Sequence, residues 1–297
     1  MSHKNKLSLV AQVQCALEAQ LAIGQSKHVD KLNGSTQGKI YSWETFRSYM
    51  KHANYFTRYC KQTHGCKTLE ACRPYVNEWL RSRSNLSAYT QKLEACALAK
   101  LYSCSTTDFV HTAARKRADI TRSRGIKASD SHFSEANHRD FVEFCKSTGL
   151  RRSELAALTG NKLKWIGSQP YIVVDAGSNG GRYREAPVTG NVDLVVRYMQ
   201  AAGSGKVFNK VPCGADVHSY RSDYATAIYK QHARDIKDIP YDAINKGTGR
   251  LYQSQVYYCR GDLKDTCYDK MAMLKASQAL GLKRINAVSD HYLNSYS

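Results

Sequence analysis

The hydrophobic spacing of this chain is helical on both sides of one place where the period drops to two, and that single change limits the folds open to it. Tyr171 to Asp175 and Arg182 to Val188 read as extended segments, and the Asn179-Gly180 pair between them, inside the glycine hairpin Ser178 to Gly181, predicts a tight turn. Pro187 has no N–H to give to a ladder, so the second segment belongs near a sheet edge. One hairpin among helices builds neither a sandwich nor a parallel sheet. The expected fold is mostly α with a small β-sheet.

Ahead of the hairpin, Val10, Val13, Leu17 and Leu21 share a helix face that Gly24 ends, and a polar stretch with Gly34 and Gly38 follows. Phe46, Tyr49, Met50, Ala53, Phe56 and Cys60 line a stronger amphipathic segment. Further helical patterns cover Ala71 to Ser82 and Ser87 to Tyr102, the latter with Tyr89, Leu93, Ala97 and Leu101 aligned. Residues 1–114 therefore read as an N-terminal helical bundle. Residues 115–131 hold Arg115, Lys116, Arg117, Arg122, Arg124 and Lys127 with little to bury, and read as a basic linker. The second domain, 132–297, is mixed α/β. It opens with a helix capped by Ser134 with Phe141 and Phe144 inward, and Arg151 begins another with Leu155 and Leu158 inward. Past the hairpin, helical patterns return around Asn191 to Ala202, His218 to His232 and Asp269 to Gly281, with a short one bearing Tyr292.

Lys and Arg number 44 against 25 Asp and Glu, a net charge of +19. Such an excess calls for a polyanionic partner, and its clustering in the linker points to double-stranded DNA. No signal peptide is read ahead of the ten cysteines, which are expected to be reduced thiols in a cytoplasmic, nucleoid-associated protein. Cys60, Cys66 and Cys72, with His64 among them, lack the close C-x-x-C pairs of a zinc site, so no metal is expected. Gly203 to Lys206 lacks the leading glycine and trailing Ser or Thr of a phosphate loop, so no nucleotide cofactor is expected either. No apolar run approaches the roughly 20 residues that span a bilayer, which excludes a membrane partner.

Three boxes in the second half suit metal-free attack on a phosphodiester: T-G-L-R-R-S-E-L at Thr148 to Leu155, H-S-Y-R at His218 to Arg221, and H-Y-L at His291 to Leu293. That chemistry needs fixed positive charge on the non-bridging oxygens, a nucleophile, and a proton for the leaving oxygen. Arginine meets the first need with a planar fork that stays charged. Histidine, titrating near neutrality, can take a proton, and tyrosine can attack. His218 and Arg221 are three residues apart and share a helix face.

In this order, with the glycine hairpin between the first two boxes and Ala279-Leu280-Gly281 ahead of the last, the chain resembles the tyrosine recombinases, the integrases of phages and conjugative elements. The resemblance is strongest from about His132 onward. It implies Arg151, His218 and Arg221 around the phosphate and Tyr292, rather than Tyr296, as the nucleophile that forms a 3′-phosphotyrosyl link. Arg151 is selected because it directly follows Gly149-Leu150; Arg152, turned about 100° along a helix, reads as a surface or DNA-backbone contact. Glu154 reads as a buried partner for a nearby Arg. The chain departs from the family at Leu282, where His or Trp is usual, and at Asn179, where a Lys acid is usual, with Arg182 a nearby cation.

The resemblance further implies a core-binding and a catalytic domain closing on duplex attachment sites, a DNA-assembled homotetramer, accessory bending or directionality factors, and integration or excision of a mobile element. Neither metal nor ATP enters that reaction. Two other readings stay open: a recombinase-fold DNA-binding protein weakened in catalysis, and a nicking-closing enzyme of the type IB topoisomerase kind.

Overall fold

The computed structural model describes residues 7–116, 133–177 and 183–293, and the chain divides into two compact units, Met1–Asp119 and Ile120–Ser297. The first is all helical: α1 (Leu9–Glu18), α2 (Lys27–Leu32), α3 (Trp43–His64), α4 (Leu69–Cys72), α5 (Val76–Ser82) and α6 (Ala88–Leu101). Serine or threonine hydroxyls cap α1, α2, α3, α4 and α6 by accepting from the third residue on. Val13, Leu17, Phe56, Cys60 and Leu98 meet in the core. Two expectations need correction here. The polar stretch after Gly24 folds into α2, and Pro74 breaks the helix expected over Ala71 to Ser82 into α4, a 3-10 turn at Arg73–Tyr75 and α5.

The second unit holds α7 (Arg139–Thr148), α8 (Arg152–Ala157), β1 (Leu163–Ile166), β2 (Gln169–Val174), β3 (Arg184–Pro187), α9 (Val192–Ala202), α10 (Val217–His232), β4 (Ala243–Ile244), β5 (Leu251–Tyr252), β6 (Val256–Tyr258), β7 (Cys267–Asp269), α11 (Lys270–Ala279) and α12 (Asn286–His291). β1, β2 and β3 form one antiparallel sheet in that order, with Ile172 opposite Leu163 and Ala186. β3 with Pro187 is an edge, as expected. β4–β5 and β6–β7 add two small antiparallel pairs that the sequence did not announce. The fold is thus mostly α with small antiparallel sheets. Ser134 is not the cap of α7: that helix starts at Arg139, because residues 135–138 turn toward α10, where the Tyr220 hydroxyl donates to Glu135 at 2.6 Å.

Two apolar cores lie in this unit, one around Phe144, Leu155, Ile172 and Met199, the other around Tyr224, Met273, Leu280 and Leu293. Helix α10 is their seam. Its Val217 and Tyr220 belong to the first core and its Tyr224, Ala225 and Ile228 to the second. A side chain at position 221 is therefore carried into the interior between them, and that side chain is an arginine.

Candidate active site

Arg221 is 2% exposed, so its charge lies where burying it is costly unless its donors are satisfied. The satisfaction comes from backbone. One terminal nitrogen donates to the Gly149 carbonyl at the end of α7 and the other to the Leu280 carbonyl at the end of α11, while Nε donates to the Tyr292 hydroxyl at 3.4 Å. Three of the five guanidinium N–H groups are spent in this way among the described residues, leaving one on each terminal nitrogen. Burial, and then the charges of Arg151 and Arg184, pull the Arg221 pKa down to about 10 against the pull of Tyr292, so it stays protonated at neutral pH.

Tyr292 closes α12 and is itself buried, its ring 5.4 Å from the Arg221 guanidinium and 5.1 Å from the His218 ring. Residues from the second and third boxes, 71 positions apart for Arg221 and Tyr292, thus meet. The first box enters through Glu154. This buried carboxylate accepts two bonds from Arg184 at 2.7 Å each, one from the Arg151 guanidinium at 2.7 Å and one from the Arg151 backbone N–H at 2.7 Å. Burial would raise the Glu154 pKa, but the hydrogen bonds and charge of Arg184, with the hydrogen bonds of Arg151, overcome it and hold the group down to about 2. Arg184 also donates through Nε to the Ala279 carbonyl at 3.1 Å, so the carbonyl end of α11 receives two guanidiniums.

Two glycines, Gly149 in the first box and Gly281 ahead of the last, are required by close approach. A Cβ on Gly149 (φ 59°) would lie 2.1 Å from the Tyr224 ring, and one on Gly281 (φ 64°) would lie 2.7 Å from Arg184 Cδ. Both backbones must come this near because the Gly149 and Leu280 carbonyls reach Arg221.

The remaining expectations divide. Glu154 is the buried arginine partner that was anticipated. Arg152 is not a surface contact; its guanidinium donates to the carbonyls of Pro212 and Ala215 at 2.6 Å each, and of Val211 and Cys213 at 3.4 Å each, because the loop into α10 passes beside the first turn of α8. Leu282 packs, partly buried, against the core that holds Tyr292 and offers no side-chain donor. Asn179 and Arg182 lie outside the described residues, as do Arg117, Arg122 and Arg124. Arg115 and Lys116 are exposed, and the Arg115 guanidinium sits 5.5 Å over the Tyr89 ring.

Arg184 was missed, although the alternation of Arg184 and Ala186 on the buried side of β3, continued by Val188 just past it, marks it. An arginine at an inward strand position needs a buried partner. Elsewhere, Cys60 and Cys66 direct their thiols to the carbonyls of Cys72 and Ala71, and His64 stacks on Tyr75 with ring centroids 3.6 Å apart. All ten cysteines are unpaired. No group of three or more His, Cys, Asp or Glu side chains among the described residues is placed to hold a metal ion. No helix among them is long and apolar enough to cross a membrane.

No protein-family model and no curated protein matches the sequence. Solved structures do match in shape. The XerH site-specific recombinase bound to palindromic difH substrate, a post-cleavage complex, superposes with a TM-score of 0.51 at 12% identity, over 97% of this chain and 91% of that one. A pre-cleavage complex of XerH with difH substrate scores 0.48 at 11% identity, covering 95% and 92%. The Tn1549 transposon integrase in complex with circular intermediate DNA scores 0.46 at 13% identity, covering 98% and 96%. The chain has the tyrosine-recombinase fold.

Proposed function

We propose that this chain is a tyrosine site-specific DNA recombinase that integrates or excises a mobile element. The observation that carries the reading is the meeting of buried Tyr292 and Arg221 with the exposed His218 ring 5.1 Å from Tyr292, and with Arg151 joined to them by charge. In this reading the helical unit is the core-binding domain, the second unit is the catalytic domain, and the basic linker between them lies on phosphates. The net charge of +19 supports duplex DNA as the partner. The resemblance to integrases supports assembly of four protomers on paired attachment sites, aided by bending or directionality factors.

The reaction follows from the residues. The phosphate accepts from the N–H left on each terminal nitrogen of Arg221, and Arg151 takes a second share of its charge. His218 accepts the phenolic proton as the Tyr292 oxygen bonds to phosphorus. The P–O5′ bond breaks, and the departing 5′-oxygen takes up a proton from water. The phosphodiester energy is kept in the phosphotyrosyl link, so rejoining needs neither ATP nor metal.

A pool of nicked suicide duplexes with randomised arms tests this: protein-linked DNA that survives denaturant is the expected product, with its arms enriched in a common sequence. Leu282 favours one rival reading, because an apolar side chain stands where the family places a donor. On that rival, the same pool yields sequence-selective binding and no adduct.

A further inference from the structure

We propose that Arg152 is a positioning residue for strand cleavage, holding the loop before α10 so that His218 and Arg221 face Arg151. The inference rests on the recombinase reading above and extends it to a residue outside the reacting set. Arg151 and Arg152 are consecutive and point to different tasks. Arg151 caps α8 and pairs with Glu154, while Arg152 takes the carbonyls of Val211, Pro212, Cys213 and Ala215. That loop leads into Asp216, whose carboxylate caps α10 by accepting from the Ser219 N–H at 3.1 Å. His218 and Arg221 stand in the opening turns of the same helix. One short stretch of chain thus sets the first box against the second.

A guanidinium suits this task and an ammonium does not. Four carbonyls arrayed around one side chain need donors spread over a rigid plane, whereas lysine presents a point charge on a flexible stem. No carboxylate pairs with Arg152 among the described ion pairs, so the loop oxygens are its partners. A misplacement of about 1 Å in a reacting group costs on the order of 100-fold in rate.

The test uses the full chain with a nicked suicide duplex drawn from the enriched pool. Arg152→Ala should lower the rate of adduct formation at saturating DNA about 100-fold while the DNA Kd stays within about twofold. Arg152→Lys, which keeps the charge and folds more readily, should lose about 10-fold or more, showing that geometry matters beyond charge. Combined with His218→Ala, Arg152→Ala should cost little extra, because both changes disable the same group. Amide exchange in the DNA-free protein should speed up over residues 211–221 and stay unchanged in α11. Fully additive losses, a Kd that rises in step with the rate loss, or faster exchange spread through the second unit would each overturn the proposal in favour of general stability. If the unaltered protein forms no adduct, the recombinase reading fails with the cleavage role. The exchange measurement then still decides the fastening, which unaltered protection over 211–221 would refute.

Discussion

Each unit buries one glutamate against arginine, and the two clusters settle their charge differently. In the helical unit Glu94 accepts from Arg83 at 3.2 and 3.3 Å and lies 3.3 Å from His52 Nδ1, so one carboxylate answers one guanidinium and an imidazole. In the second unit Glu154 answers both Arg151 and Arg184, and Arg221 beyond it has only carbonyl and hydroxyl oxygens among the described residues. Two guanidiniums share one carboxylate and the third has none, a surplus of two positive charges. On the recombinase reading, a phosphodiester carries one negative charge and its pentacoordinate transition state two, so the surplus would match the transition state better than the substrate. The first cluster is balanced for structure. The second keeps an excess of positive charge.

The sharpest way to break this comparison is to remove the proposed nucleophile from the unbalanced cluster. Tyr292→Phe keeps the ring over Arg221 and loses one hydroxyl, so the covalent adduct should vanish while DNA affinity stays nearly unchanged. An adduct that persists in Tyr292→Phe and disappears in Tyr296→Phe would move the assignment.

Removing each carboxylate compares the clusters directly. Glu154→Gln leaves the guanidiniums without a counter-charge in a dry site and should destabilise the second unit by about 3–5 kcal/mol. Glu94→Gln should cost the helical unit about 1–2 kcal/mol, since the Arg83 side chain is 29% exposed and can turn to water. Urea unfolding of the two variants, followed by amide exchange in each unit, checks the order; equal losses would mean that the surplus is no burden.

Acid should probe the same asymmetry. The Glu154 pKa is depressed from 4.5 to about 2, so its ionised form adds stability that is fully present above about pH 4.5 and is lost as pH falls through about 2. The gain is roughly 3 kcal/mol. Across that window the unfolding free energy of the second unit should fall by this much more in the unaltered protein than in Glu154→Gln; the fall common to both comes from Asp269, which hydrogen bonds from Arg234, working against burial, also hold down to about 2.

What the sequence revealed of this site and what it hid follow from the length and reach of the interactions involved. Helix α3 runs long enough for its apolar face to be read, whereas in α6 the expected Tyr89 is exposed and Ala95 and Leu98 face the core with Leu101; the boxes carry Arg221 and Tyr292 in plain order. Strands β4 to β7 are two or three residues each, too short for a period of two to declare itself. The fastening by Arg152 stayed hidden because its partners are backbone carbonyls, which every residue has and no sequence displays. The need for Gly149 was visible as a glycine, but its reason, the Tyr224 ring 75 positions on, was not.

The smallest expected effect separates affinity from chemistry. Arg115 and Lys116 are exposed at the end of the helical unit, with Arg115 steadied over the Tyr89 ring, and neither takes part in the charge surplus at Arg221. If each neutralises one phosphate, replacing both with Ala should flatten the slope of log K against log salt by about 1.8, since each phosphate contributes about 0.9. Between about 50 and 200 mM salt that slope amounts to roughly a tenfold change in Kd, shared alike by preferred and random sequences because phosphates carry no sequence information. The cleavage rate on saturating DNA should stay where it was. Fluorescence titrations at four salt concentrations, on an enriched and a scrambled duplex, give both numbers. An unchanged slope removes these two residues from the DNA interface. A slope that flattens only on the enriched duplex would show them reading sequence, placing specificity, and not just attraction, at the end of the helical unit.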